Sequence, residues 1–69
     1  MKQSKNTLLH RLRLERGWTK EELARRAEVS SQTIRKAERG FALREDSMAK
    51  IARALEVSPE ELFAEHWPV

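Results

Sequence analysis

The chain has 69 residues, a net charge of +3, 39% hydrophobic and 36% charged residues, and no cysteine. At this length a chain buries only about 60% of its unfolded surface, and without thiols it has neither a disulfide framework nor a thiolate metal site. No run approaches the ~20 apolar residues of a membrane span and no signal-peptide pattern precedes the first predicted helix, so one domain in a reducing cytoplasm is expected.

Two glycines and two prolines leave little room for hairpins, and β-branched residues are scattered singly, which predicts an all-α fold. The first helix runs from Thr7 to Arg16, with Leu8, Leu9 and Leu12 as its apolar stripe. Ser4 or Asn6 is its N-cap and Gly17 its C-terminal cap. "TKEE" opens the second helix: Thr19 caps and Glu22, three residues on, completes a capping box. Lys20, Leu23, Ala24 and Ala27 share one face of that helix, so its core side is unusually small. The third helix follows Ser30 and stops at Gly40. Met48, Ile51, Ala52 and Leu55 recur at helical spacing in the fourth. "SPEE" opens the fifth, with Ser58 capping, Pro59 at the first helical position, Glu61 closing a second box, and Leu62 and Phe63 apolar. No internal repeat is expected.

The second and third helices are joined only by Glu28, Val29 and Ser30. So short a joint makes them cross steeply with close backbones, which accounts for Ala24 and Ala27; Val29 and Ile34 fill the angle. The third helix then turns Gln32, Arg35, Lys36 and Arg39 to one side, at i, i+3, i+4 and i+7. A solvated face explains most such stripes. The charge distribution favours a polyanion: residues 1–44 carry 12 Lys/Arg against 5 Asp/Glu, a net +7, and residues 45–69 carry 2 against 6, a net −4.

The segments "LHRLRLERGWTKEELARRAEVSSQTIRKAERG" and "MAKIARALEVSPEELF" resemble the Cro/repressor-type, Xre-like helix-turn-helix DNA-binding domains. The resemblance runs from Leu9 to Phe63 and rests on five ordered segments at the family's spacing. It implies a compact five-helix domain whose third helix enters the DNA major groove. Ser31, Gln32 and Lys36 fall at the family's base-contact positions, where Gln32 suits adenine and Lys36 guanine. Lys20 falls at a phosphate contact usually made by Gln, and Arg35, Arg39 and Arg44 are expected on phosphates. Arg13 and Glu38 match a structural salt bridge between the first and third helices.

Two positions depart from the pattern. Glu28 stands where the family commonly has a left-handed Gly; that conformation costs a residue with a side chain about 1–2 kcal/mol, so this turn is either strained or of a different local geometry. Leu43, Arg44 and Glu45 replace the usual Pro and Leu ahead of the fourth helix, leaving the path of "FALRED" open.

No enzymatic site, cofactor or metal is expected. His10 and His66 read as separate surface histidines, the pairs Glu21–Glu22 and Glu60–Glu61 are explained by capping, and Trp18 reads as core. The resemblance implies a sequence-specific regulator of transcription, a small repressor acting by occupancy of its operator. The alternative is a protein-interaction module, such as an antitoxin or bridging factor, with secondary DNA binding. A single recognition helix reads too few base pairs for selectivity, so a homodimer on a palindrome is expected, weak without DNA. Its candidate surface is Pro59, Leu62 and Trp67, and Trp67 could equally fold back on its own chain.

Overall fold

The computed structural model describes residues 7–63. As the sequence predicts, they form five helices and no strand: α1 (Thr7–Glu15), α2 (Lys20–Ala27), α3 (Ser31–Glu38), α4 (Glu45–Leu55) and α5 (Pro59–Leu62). The expected caps Ser4 and Asn6 lie outside the described residues, as do His66 and Trp67. No described helix is long and apolar enough to cross a membrane.

The core gathers one apolar stripe from each helix. Leu9, Leu23, Ile34, Met48, Ile51, Leu55 and Phe63 are fully buried, with Leu12, Trp18, Val29 and Leu43 packed around them. Each such burial contributes about 1.5–3 kcal/mol. α2 packs on both α3 and α4, while α1 rests on α3 and α5 on α4. Ala24 and Ala27 are buried on α2, and their small size lets α3 approach closely.

Three helices start on a hydroxyl. Thr19 Oγ1 accepts from the Glu22 N–H at 3.0 Å, Ser30 Oγ from the Thr33 N–H at 3.1 Å, and Ser58 Oγ from the Glu61 N–H at 3.1 Å. The Glu22 carboxylate, expected to close its box on Thr19, instead accepts from Arg25 and Arg26. The hydrogen bond from Arg25 first, then that from Arg26 and the charges of both, hold the Glu22 carboxyl below the usual glutamate range against the opposing effect of desolvation. α4 starts differently: Arg44 provides no side-chain cap, and Glu45 and Asp46 place negative charge in the first turn.

Four helices end on the same paired hydrogen bonds. After α1 the Trp18 N–H donates to Arg13 O and the Gly17 N–H to Leu14 O; after α3 the Phe41 N–H donates to Lys36 O and the Gly40 N–H to Ala37 O. Both glycines have positive φ, 69° and 89°. A Cβ at Gly17 would meet nothing within 4 Å, so backbone conformation and not space selects glycine there. At the ends of α2 and α4 the left-handed residue is a glutamate: Glu28 at φ 63°, the strained one of the two geometries open to that turn, and Glu56 at φ 62°.

This second glutamate belongs to an internal repeat, where none was expected. "LARRAEVSSQTI" (23–34) and "IARALEVSPEEL" (51–62) share Ala, Arg, Glu, Val and Ser at equivalent positions. Val29 donates to Ala24 O at 3.0 Å, and Val57 to Ala52 O at 3.0 Å, so the two turns close alike. The chain therefore contains two copies of one helix–turn–helix connection. In the first it leads into a helix of eight residues, in the second into one of four.

Replacing Glu28 or Glu56 by Gly removes a Cβ from a left-handed position, worth about 1–2 kcal/mol, against the greater unfolded-state freedom of Gly. Each substitution is expected to stabilise the fold by about 1 kcal/mol, raising Tm by about 4–8 °C for a domain of this size. Thermal melts of the two single variants check this, and a lower Tm would contradict the assigned strain.

Candidate nucleic-acid interface

α3 has two chemically opposed sides. Ile34, Ala37 and Glu38 face inward and are buried, while Gln32, Arg35, Lys36 and Arg39 lie exposed. Ser31, at the first position after the cap, is half-buried. Among the described residues the side chains of Gln32 and Lys36 have no hydrogen-bond or ion-pair partner, so their polar ends are free for another molecule. Lys20 opens α2, half-buried and likewise without a side-chain partner among the described residues.

The remaining cations are partly engaged. Arg35 Nη2 lies 3.6 Å from Glu21 Oε2 across the α2–α3 junction, with both side chains more than half exposed. Such a pair contributes little stability, but it partly neutralises Arg35. The Arg39 guanidinium lies over the Phe41 ring, 5.4 Å from its centroid. Arg44 is exposed, with Nε 3.9 Å from Asp46 Oδ1. The segment between α3 and α4 is irregular; Leu43 tucks against the core and Phe41 stays 51% exposed.

A buried ion pair fixes the orientation of α3. Arg13 is 6% exposed, and its Nε donates to Glu38 Oε2 at 2.5 Å and its Nη2 to Oε1 at 3.3 Å. Its Nη1 donates to Trp18 O at 2.8 Å, so one guanidinium joins α1, α3 and the turn before α2. His10, which reads as an isolated surface histidine, places Nδ1 3.1 Å from Glu38 Oε1. No buried side-chain nitrogen or oxygen among the described residues lacks a partner. Burial pushes the Glu38 carboxyl upward, but the hydrogen bonds from Arg13 and His10 and their charges outweigh it and hold the group below the usual glutamate range.

Trp18 packs on the core and also carries cations: the guanidinium groups of Arg26 and Arg16 lie 4.5 and 5.7 Å from its ring centroid. Arg16 further donates to Leu55 O at 2.8 Å, tying the end of α1 to the end of α4. Neither role of Arg16 has a sequence signal, because each partner is fixed only by tertiary packing.

One expected interface residue is corrected. Leu62 is 3% exposed and belongs to the intramolecular core, because α5 turns its single leucine onto α4. It is therefore withdrawn from any surface offered to a second chain. Pro59 is half-buried at the start of α5, and Trp67 lies outside the described residues. No cluster of metal-ligating side chains occurs among the described residues.

Residues 9–62 match the helix-turn-helix family HTH_3, and the chain belongs to this Xre-like family. Among solved structures it is similar to the hypothetical transcription factor NHTF from Neisseria, at 28% identity and a TM-score of 0.72, covering 81% of this chain. It is also similar to the clp gene regulator ClgR from Corynebacterium glutamicum, at 27% identity and a TM-score of 0.71, covering 88% of this chain. The chain spans 64% and 66% of those two proteins, less than two thirds of either. No curated protein sequence matches it.

Because the Glu38 carboxyl sits below its unfolded value of about 4.3, its contribution to stability is complete above that pH. It is lost as pH falls through the lower folded value. Acid titration of Tm is expected to show a loss below about pH 4.3 that is reduced in Glu38→Gln. At pH 7 Glu38→Gln leaves a buried guanidinium without its counter-charge, at a cost of about 3–5 kcal/mol. Arg13→Met combined with Glu38→Leu is expected to recover most of that loss. A Glu38→Gln protein as stable as the parent at pH 7 would contradict the role given to the pair.

Proposed function

We propose that this chain is a regulator of transcription that binds double-stranded DNA by laying α3 in the major groove. The carrying observation is the division of α3 into an inner face held by Glu38 and an outer face whose Gln32 and Lys36 have no side-chain partner among the described residues. In this reading Gln32 addresses adenine N6/N7 and Lys36 guanine O6/N7, with Ser31 beside them at the groove edge. Lys20, Arg39 and Arg44 meet phosphates, and Arg35 does so after exchanging Glu21 for a phosphate oxygen. The net +7 of residues 1–44 supports a polyanionic partner.

Repression by occupancy in the cytoplasm is the simplest action such a surface permits. A homodimer on a palindromic site, with its two recognition helices about one DNA turn (~34 Å) apart, would give the selectivity that one helix lacks. Pro59 and Trp67 remain the candidates for that pairing. Deleting residues 66–69 is the test of it, since loss of pairing lowers affinity for a full palindrome far more than for a half-site.

Selection of bound sequences from a random duplex library, followed by affinity measurements across a salt series, tests the central reading. Gln32→Ala and Lys36→Ala are expected to relax base preference at one or two positions, by about 1–3 kcal/mol each. Lys20→Ala is expected to weaken binding to all sequences and to lower the log–log salt slope by about 0.9. An unchanged selected site in Gln32→Ala would contradict the orientation given to α3. Absence of salt-dependent duplex binding would favour the protein-interaction reading.

A further inference from the structure

Residues 45–69 are acidic overall and contain only two cations, Lys50 and Arg53. The fold brings both to one place. They line a solvent-open cavity of about 170 Å³ together with Ala54 of α4 and Arg26, Ala27 and Glu28 from the end of α2. Three cations against one carboxylate leave the rim positive. Arg26 is already committed to Glu22, at 2.7 Å, and to the Trp18 ring. Lys50 and Arg53 make no ion pair among the described residues. Compensation of the helix dipole accounts for Arg53, in the last turn of α4, and not for Lys50, in its middle.

We infer that this cavity receives a carboxylate side chain from an acidic segment of a protein partner. Its volume is below the roughly 300–1,000 Å³ of pockets that enclose a small-molecule ligand, so a nucleotide-sized effector does not fit inside it. One Asp or Glu side chain does: its methylenes would lie on Ala27 and Ala54, and its carboxylate between Lys50 and Arg53. Glu28 on the same rim disfavours a loosely held anion and favours a ligand fixed by a peptide backbone. The site is at the end of α2 opposite Lys20, about 10 Å along the helix at 1.5 Å per residue. It would thus stay open with Lys20 against a phosphate, letting a DNA-bound regulator hold a second macromolecule.

Fluorescence anisotropy with a labelled octaglutamate peptide tests this, with octaglutamine as control, at an ionic strength where the Debye length is about 8 Å. The wild-type chain is expected to bind octaglutamate and not octaglutamine. Lys50→Gln combined with Arg53→Gln is expected to weaken the peptide at least about fivefold, through loss of two charge-assisted contacts. Random-duplex affinity should change less than twofold, and Tm should fall only slightly, through loss of Arg53 from the end of α4. Lys20→Ala is expected to do the reverse, weakening random duplex and leaving peptide affinity unchanged, and protein saturated with duplex should bind the peptide as the free protein does. Failure of the wild-type chain to bind octaglutamate overturns the inference whatever the DNA result. Unchanged peptide affinity in the double variant, or displacement of the peptide by duplex, overturns it as well, since the peptide would then sit on the α3 stripe. A parallel fall in DNA affinity would make the cavity part of the DNA surface.

Discussion

The guanidinium of Arg13 occupies the junction of three segments. It donates to the Glu38 carboxylate on α3 and to the Trp18 carbonyl ahead of α2, from a buried position on α1. A buried ion pair is weak evidence for net stability, because desolvation offsets most of the attraction. Its consequence here is geometric. Glu38 lies one turn beyond Ile34 on the inner face of α3, so the pair sets the rotation of that helix about its own axis. Rotation decides which residues face outward. Were Glu38 turned toward water, the stripe from Gln32 to Arg39 would turn toward the core, and the surface assigned to DNA would be lost.

The second constraint is the way the helices stop. Left-handed residues close α1, α2, α3 and α4 with the same pair of backbone hydrogen bonds, which lets short helices reverse direction within two or three residues. Glycine does this without strain after α1 and α3, and glutamate does it at a cost after α2 and α4. The two glutamates belong to the two copies of the E-V-S turn, so the strain goes with the repeat and not with one site. The copies have diverged in use. The first leads into a long cationic helix, whereas the second leads into one turn bearing Glu60 and Glu61 that closes the core with Leu62 and Phe63.

Much of this was legible in the sequence. Helix starts at Thr19, Ser30 and Ser58 follow from hydroxyl caps, and the core faces follow from helical spacing, as at Met48, Ile51 and Leu55. At Glu28 a left-handed turn was one of two legible geometries, because glycine is common there in the family; at Glu56 the same signal lay only in the repeated "EVS". Contacts between residues far apart in the chain were not legible. His10 against Glu38, Arg16 against Leu55 O and Arg35 against Glu21 each depend on tertiary geometry. Leu62 illustrates the same limit from the other side. In a one-turn helix, periodicity cannot distinguish a leucine turned inward from one offered to a second chain.

Every role proposed for α3 depends on which face of the molecule meets DNA. Backbone amide shifts of the labelled chain, followed by NMR during titration with a duplex, report that face directly. The largest changes are expected from Ser31 to Arg39 and around Lys20, with the exposed side of α1, the α4 residues Lys50 and Arg53, and α5 nearly silent. Changes concentrated on those three regions, with α3 unperturbed, would contradict those roles.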